Sequence, residues 1–417
     1  MKTTLRRCWL SQTRARAPAA PLIAIAFLIL ATYQASGQTY TTLHAFTGNS
    51  DGGYLLAPVI LDSKGNLYGT TFQGGDMNCA PGQGCGTVFK IDPSGKETVI
   101  YAFKSPGPDA AFPAAGVVQD AAGNLFGTTM EGGAAGIGTV FEVTPGGKET
   151  ILYSFKGSKL GAYPTGAFVR DPAGNIYGTA SFGDFNCDPT NSGCGIVFKL
   201  TSTGKYSVLH AFHNTGKDGE QPSGLFRGQS GILYGTTLLG GDLACNGGHG
   251  CGGVFKVDPR SGKLTTLYKF HGQDGAFPAN GVIQDSAGNL YGTTAGSVFK
   301  LDPAGHEATL HEFIGGTGGV DPEGSLLLDP NTGSLYGTTD FGGDLLCNPD
   351  GGYGAGCGTV YKLDPSGVFT VLHAFAGNPS EFPFAGVVMD PSGNLYGTTT
   401  GLPNCCGDEG SVFKLAP

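Results

Sequence analysis

The phrase Gly-Asn-Leu-Tyr-Gly-Thr-Thr, in full or as a close variant, returns seven times along the chain, with its aromatic at Tyr68, Phe126, Tyr177, Tyr234, Tyr291, Tyr336 and Tyr396. Three other phrases accompany it in fixed order. Gly-Thr-Val-Phe-Lys places an aromatic at Phe89, Phe141, Phe198, Phe255, Phe299, Tyr361 and Phe413, and Thr-Val-Leu-His-Ala-Phe ends at Phe46, Phe103, Phe155, Phe212, Phe270, Phe313 and Phe375. Gly-Val-Val-x-Asp begins near Val59, Gly116, Ala167, Gly224, Gly281, Ser325 and Gly386. A period of 45 to 60 residues carrying four short β-type segments has the length of a propeller blade and is too long for one solenoid coil.

Composition removes the competing classes. The 74 Gly and 25 Pro among 417 residues cannot be spread along helices, where they cost roughly 1 and 3 kcal/mol each. Disorder is excluded because 40% of residues are hydrophobic and 14% charged, against roughly 25% charged in ordinary domains. Each phrase is rich in Val, Ile, Thr, Tyr and Phe and bounded by Gly, Pro, Asn or Asp, which reads as short strands. We name them A (Gly-Val-Val), B (Leu-Tyr-Gly-Thr-Thr), C (Thr-Val-Phe-Lys) and D (Thr-Val-Leu-His-Ala-Phe). A–B and C–D connections such as Asp62-Ser63-Lys64-Gly65-Asn66 and Asp364-Pro365-Ser366-Gly367-Val368 are hairpin turns, with Asp bonding forward, Pro presetting φ and Gly supplying the left-handed residue.

The order of strands at the two ends predicts closure. The first strand, Tyr40 to Phe46, is of type D, and the last, Ser411 to Leu415, is of type C. The last blade therefore borrows the N-terminal strand, which removes two exposed sheet edges. The expected fold is all-β, a single seven-bladed β-propeller of four-stranded blades over residues 38–417, expected to be a monomer.

Residues 1–37 read as a secretory signal peptide. Lys2, Arg6, Arg7, Arg14 and Arg16 precede an apolar run, Leu22 to Ala31, and a small-residue cleavage site at Ala35-Ser36-Gly37. That run is about half of the roughly 20 residues a spanning helix needs, so no membrane span is expected after cleavage. Loss of five basic residues and no acid takes the formal charge from -9 to -14, a surface that repels nucleic acid and anionic lipid.

On the motifs Gly-Asn-Leu-Tyr-Gly-Thr-Thr at 65–71, Gly74-Gly75 and Gly-Thr-Val-Phe-Lys at 86–90, the chain resembles the GloVer tandem-repeat family of secreted bacterial proteins, also called choice-of-anchor. The resemblance covers nearly all of the chain after the leader. It implies an exported repeat protein whose relatives carry varied surface-anchoring tails, and it implies no activity. Here the last strand is followed directly by Ala416-Pro417, so secretion or periplasmic residence is expected over attachment.

Ten cysteines remain after cleavage, an even number in an oxidising compartment. Eight form local pairs in the B–C loops of four blades: Cys79/Cys85, Cys187/Cys194, Cys245/Cys251 and Cys347/Cys357. Zinc would need four converging ligands, whereas these pairs belong to separate blades, so disulfides are expected. Cys405 and Cys406 form a strained vicinal bridge, stay as thiols, or bridge elsewhere; the pairing of the other eight favours the vicinal bridge.

Long, irregular and Cys-bearing loops all fall on the B–C and D–A side, so function is expected there. That side carries Asp76, Asp184, Asp242 and Asp344 before the Cys loops and Asp51, Asp109, Asp218, Asp274 and Asp321 in the D–A loops. They are candidate ligand-binding residues for sugar hydroxyls or Ca2+, although Asp beside Gly also simply makes turns and no EF-hand spacing is present. The B–C loop of blade 5 is only Ala295-Gly296, which predicts a notch. His44, His210, His311 and His373 share one D-strand position with Tyr101, Tyr153 and Tyr268, which marks packing with a polar tip and not a metal cluster. No nucleophile elbow, His-Glu-x-x-His or phosphate loop occurs, so no catalytic residue, metal or cofactor is assigned. The reading is a non-catalytic module binding a glycan or protein ligand. The alternative is an extracellular carbohydrate-active or lactone-cleaving enzyme using loop aspartates.

Overall fold

The computed structural model describes residues 38–80, 82–104, 107, 109–183, 194–213, 218–347, 355–377, 381–401 and 409–417. The leader (1–37), Asp184, Cys187, Cys405 and Cys406 lie outside the described residues.

Seven four-stranded antiparallel sheets form a ring, and the last joins both ends of the chain. Blade 1 is Ile60–Leu61, Leu67–Thr71, Thr87–Ile91 and Glu97–Ala102 (strands A to D), and blade 7 is Val388–Met389, Leu395–Thr399, Ser411–Ala416 and the N-terminal Thr39–Ala45. Thr39 pairs with Ala416 and Tyr40 with Leu415, so the predicted closure is present. A two-stranded ladder, Ala110–Ala111 with Glu131–Gly132, lies outside the blades.

Closure also shows in packing. At each of the seven blade junctions the terminal D-strand Phe meets the C-strand aromatic of the next blade at 5.1 to 5.3 Å: Phe46–Phe89, Phe103–Phe141, Phe155–Phe198, Phe212–Phe255, Phe270–Phe299, Phe313–Tyr361 and Phe375–Phe413. All are edge-to-face, the geometry the ring quadrupoles favour. Seven equal junctions leave no free face.

The B-strand motif divides its labour residue by residue. Gly69 lies opposite Phe89 in the ladder, and a Cβ on it would stand 2.6 Å from the ring. The glycine therefore admits its own blade's C-strand aromatic. The first Thr latches blade to blade: Thr70 Oγ1 donates to Ala115 O at 3.0 Å, Thr338 Oγ1 to Ala385 O at 3.0 Å and Thr398 Oγ1 to Ala57 O at 3.1 Å. The second bonds the start of strand C, as in Thr71–Thr87 at 2.9 Å and Thr339–Thr359 at 2.8 Å. The tyrosine hydroxyl donates to the A–B turn, to Asp62 from Tyr68 at 3.2 Å and to Asp285 from Tyr291 at 3.0 Å.

Two features go beyond the motifs. Every C–D ladder carries a register shift, between Val88 and Phe89 in blade 1 and at Thr42/His44 in blade 7, and such bulges sharpen twist at a sheet's outer edge. Strand A pairs over only two residues in five blades. A segments of adjacent blades touch, as at Gly116 against Pro58 O and Gly386 against Ser325 O, so strand A is innermost.

Candidate functional site

The residue that opens each inner segment is left-handed in all seven blades, and none is glycine: Tyr54, Phe112, Tyr163, Gln221, Phe277, Asp321 and Phe382 have φ of 51° to 60°. Six of them precede proline, which bars the right-handed helical region to the preceding residue. For a bulky residue this conformation is an outlier, and it persists only where neighbours hold it. The neighbours are identifiable. Phe112 N donates to Cys85 O at 2.9 Å, Gln221 N to Cys194 O at 2.8 Å, Phe277 N to Cys251 O at 3.0 Å and Phe382 N to Cys357 O at 3.0 Å. In each case the carbonyl of the second cysteine in one blade holds the left-handed residue of the next.

The expected bridges Cys79–Cys85, Cys245–Cys251 and Cys347–Cys357 are present, with Cα separations of 5.6 to 5.8 Å. Cys194 is also disulfide-bonded. Tyr163 and Tyr54 use Ile137 O and Glu409 O instead, at 3.0 and 2.7 Å. No B–C carbonyl bonds Asp321 N among the described residues, since the preceding loop is the two-residue one of blade 5.

Because these residues precede the innermost strands, they surround the mouth on the B–C and D–A face. Tyr54, Phe112, Tyr163 and Phe277 are half-buried. Phe72 bridges blades 1 and 2, with its ring 6.0 Å from Tyr54 and 5.3 Å from Phe112. Phe182 meets Tyr163 at 5.7 Å and Phe341 meets Phe382 at 5.5 Å.

Blade 6 breaks this pattern. Where the others place Tyr, Phe or Gln, it has Asp321; two residues on, Leu56, Ala114, Thr165, Ser223, Ala279 and Phe384 are matched by Glu323; after strand B, Phe72, Met130, Ser181, Leu238, Ala295 and Thr400 are matched by Asp340. Asp321 O accepts both Glu323 N (2.9 Å) and Asp340 N (3.0 Å), which ties the three together. Asp340 is 9% exposed and its Oδ1 has no hydrogen-bond partner. Burial, then the charges of Glu323 and Asp321, holds its carboxyl well above the usual range. Burial and then Asp321 push Glu323 up to about 7, and burial raises Asp321. Only Asp321 was singled out by sequence reasoning; comparing the seven units column by column is the signal that finds the other two.

Of the remaining candidate aspartates, Asp242 and Asp274 meet at His271, at 3.9 and 3.0 Å, and among the described residues no three of them converge. Asp76, Asp242 and Asp344 accept backbone amides two residues on, from Asn78, Ala244 and Leu346 at 2.9 to 3.0 Å, as turn-forming Asp does. Asp109, Asp218 and Asp274 anchor the polar tip of their own D strand, whereas Asp51 accepts from Thr47 N and Thr47 Oγ1 and only lies near its histidine. Asp51 lies 3.5 Å from His44, Asp109 accepts Tyr101 OH at 3.1 Å, Asp218 lies 2.9 Å from His210, and Asp274 accepts Tyr268 OH at 2.5 Å. His311 and His373 stack on Phe369 and Tyr40 at 3.9 and 4.2 Å. The one trio of ligand-type side chains whose donor atoms lie within 4.8 Å of one another, among the described residues, is Cys347, Cys357 and Glu381; its sulfurs are joined in a disulfide.

The notch over blade 5 holds a cavity of about 400 Å³ lined by Phe277, Asp274, Glu312 and Ile314. Ile314 is 94% exposed, and Leu346 on the adjoining loop of blade 6 is 86% exposed. A larger cavity, about 830 Å³, opens on the opposite face between blades 1 and 2 beside Tyr68 and Lys90. Smaller counterparts recur between blades 3 and 4 and between blades 4 and 5, so it belongs to the repeat and is not a feature of one blade.

A closed ring of seven four-stranded sheets defines a β-propeller. The chain belongs to the Gloeobacter/Verrucomicrobia repeat family, whose profile matches residues 29–242, 187–345 and 294–417. No curated protein matches it. Among solved structures it is similar to streptogramin B lyase (13% identity, TM-score 0.59, covering 91% of this chain and 97% of that one). It is also similar to the extracellular domain of a proposed hybrid two component system from B. thetaiotaomicron (15% identity, TM-score 0.56, covering 91% of this chain and 41% of that one). These likenesses show the fold alone. No helix among the described residues is long and apolar enough to cross a membrane.

Proposed function

We propose that the protein is an exported binding module whose mouth on the B–C and D–A face takes a carbohydrate chain. The observation that carries this is the ring of left-handed residues, five of them aromatic. Four of those five are half-exposed, and their backbone is held before any ligand arrives. Flat rings stack on the C–H faces of sugars, and side chains fixed in advance lose little entropy on binding. Export is supported by the disulfides, which persist in oxidising compartments, by the leader-like composition of residues 1–37, and by the likeness to an extracellular propeller domain.

One specific observation favours a second reading, an extracellular enzyme opening a glycoside or lactone. Glu323 and Asp340 are carboxyls whose environments favour the protonated form, as a general acid requires. The test is a screen of neutral and acidic oligosaccharides for binding and, separately, for turnover, with Phe112→Ala and Tyr163→Ala beside the parent. Binding weakened about tenfold or more by each substitution supports the module. Turnover lost in Glu323→Gln while binding persists supports the enzyme. A parent that binds no oligosaccharide overturns both glycan readings.

A further inference from the structure

We propose that Asp321, Glu323 and Asp340 hold a hard divalent cation, calcium foremost, at the mouth of blade 6. The three carboxyls come from two segments that the Asp321 carbonyl ties together through Glu323 N and Asp340 N. No other blade has an acid in any of the three positions.

Compensation from the protein is missing at this point. The charge of Asp321 acts on Glu323, and those of Glu323 and Asp321 act on Asp340, while no lysine, arginine or histidine among the described residues contributes. Among the described residues, the other candidate aspartates of this face each have a partner on at least one oxygen, as Asp218 has His210, Asp109 has Tyr101, and Asp76 has the Asn78 amide. Asp340 is nine-tenths buried, and the free Oδ1 is on its side chain. A buried carboxylate with no countercharge is costly enough that something from outside must neutralise it, either a proton or a metal ion.

The donor set decides which metal. Three carboxylates with no nitrogen or sulfur ligand suit calcium or magnesium and disfavour zinc. Calcium tolerates irregular geometry and six to eight oxygens, whereas magnesium demands a near-ideal octahedron. The oxygens of the trio are not all within 4.8 Å of one another, and two ligands across one calcium span at most about 5 Å. Binding therefore draws in the half-exposed Glu323, and water or a ligand oxygen fills the remaining positions. Calcium would displace protons held by the trio, so uptake of the ion is coupled to proton release.

The experiment follows thermal unfolding of the purified protein, stripped with EGTA, as CaCl2 is added up to about 10 mM at constant ionic strength, a range that spans affinities of extracellular sites. A saturable rise in Tm of about 2–4 °C is expected, with protons released into weakly buffered solution. Both effects should vanish in Asp340→Asn and in Glu323→Gln. Asp340→Asn, having lost a buried acid, should fold at least as well as the parent in EGTA; should it not, the half-exposed Glu323→Gln carries the comparison. No calcium-dependent rise in the parent, or an equal rise in the variants, overturns the proposal and leaves the trio neutralised by protons alone.

Discussion

The carbonyl of Cys85 accepts the amide of Phe112 at 2.9 Å, so a cysteine of blade 1 fixes the left-handed backbone of an aromatic in blade 2. Cys251 does the same for Phe277 and Cys357 for Phe382. The disulfides thus hold the mouth of the ring as well as their own loops.

Opening one staple should be felt one blade away. Cys245→Ser with Cys251→Ser is expected to cost about 2 kcal/mol, the chain-entropy value for a short loop. It should also speed hydrogen exchange at the Phe277 amide, with little change at Phe112. Equal protection of Phe277 in the variant and the parent would show that the loop holds its carbonyl without the bridge.

Thr398 Oγ1 donates to Ala57 O at 3.1 Å across 341 positions of sequence, and both groups are buried at the closing junction. Thr398→Val keeps the shape and strands the carbonyl, which should cost about 1–3 kcal/mol in chemical denaturation. Removing residues 38–46 should be far worse, exposing strand edges at both sides of the gap, with aggregation as the readout.

Gly69→Ala places a methyl 2.6 Å from the Phe89 ring, in a strand with nowhere to move. A loss of about 1–3 kcal/mol is expected from overpacking. The double variant with Phe89→Leu should recover part of it, and purely additive effects would mean that the two residues do not meet as described.

Two sets of groups bend the pH dependence of stability in opposite directions. Burial, then Asp109, pushes Glu149 up to about 8, and burial, then Asp51, pushes Glu97 up to about 7. Their folded-state pKa values lie above the unfolded ones, so stability is full below about pH 4.5 and declines as pH rises toward 7 to 8. Burial holds His373, stacked on Tyr40, down at about 4. Its contribution is full above about pH 6.5 and is lost as pH falls toward 4. Glu149→Gln should flatten the alkaline decline and His373→Phe the acid one, each read from Tm against pH. A Glu149→Gln profile that superimposes on the parent's would contradict the assignment.

The fold was legible because each repeat carries its own punctuation. Phe46 and Phe89 recur at fixed places in every unit, and a D strand at one end with a C strand at the other admits few arrangements. The site was less legible because its chemistry is a departure from the repeat. Asp321 stood among eight other aspartates that bond amides, hydroxyls or imidazoles or lie outside the described residues, and nothing local distinguishes it. Glu323 follows a proline and Asp340 follows Thr-Thr, each unremarkable alone; only the sheet geometry brings them to one mouth. The left-handed ring was hidden too, since Tyr163-Pro164 and Phe277-Pro278 read as ordinary turn dipeptides until their carbonyl partners in the previous blade are known.

Thr39 and Ala416 stand side by side in one ladder, and that adjacency makes the present starting point arbitrary from the standpoint of the finished molecule. A short linker could splice the two ends, and the chain could be recut at any A–B turn such as Asp390 to Asn394, with all seven junctions reformed. What such a rearrangement would alter is timing: the natural order obliges the opening strand to wait, edge exposed, until the final strand has been delivered, whereas a recut version could complete that sheet first.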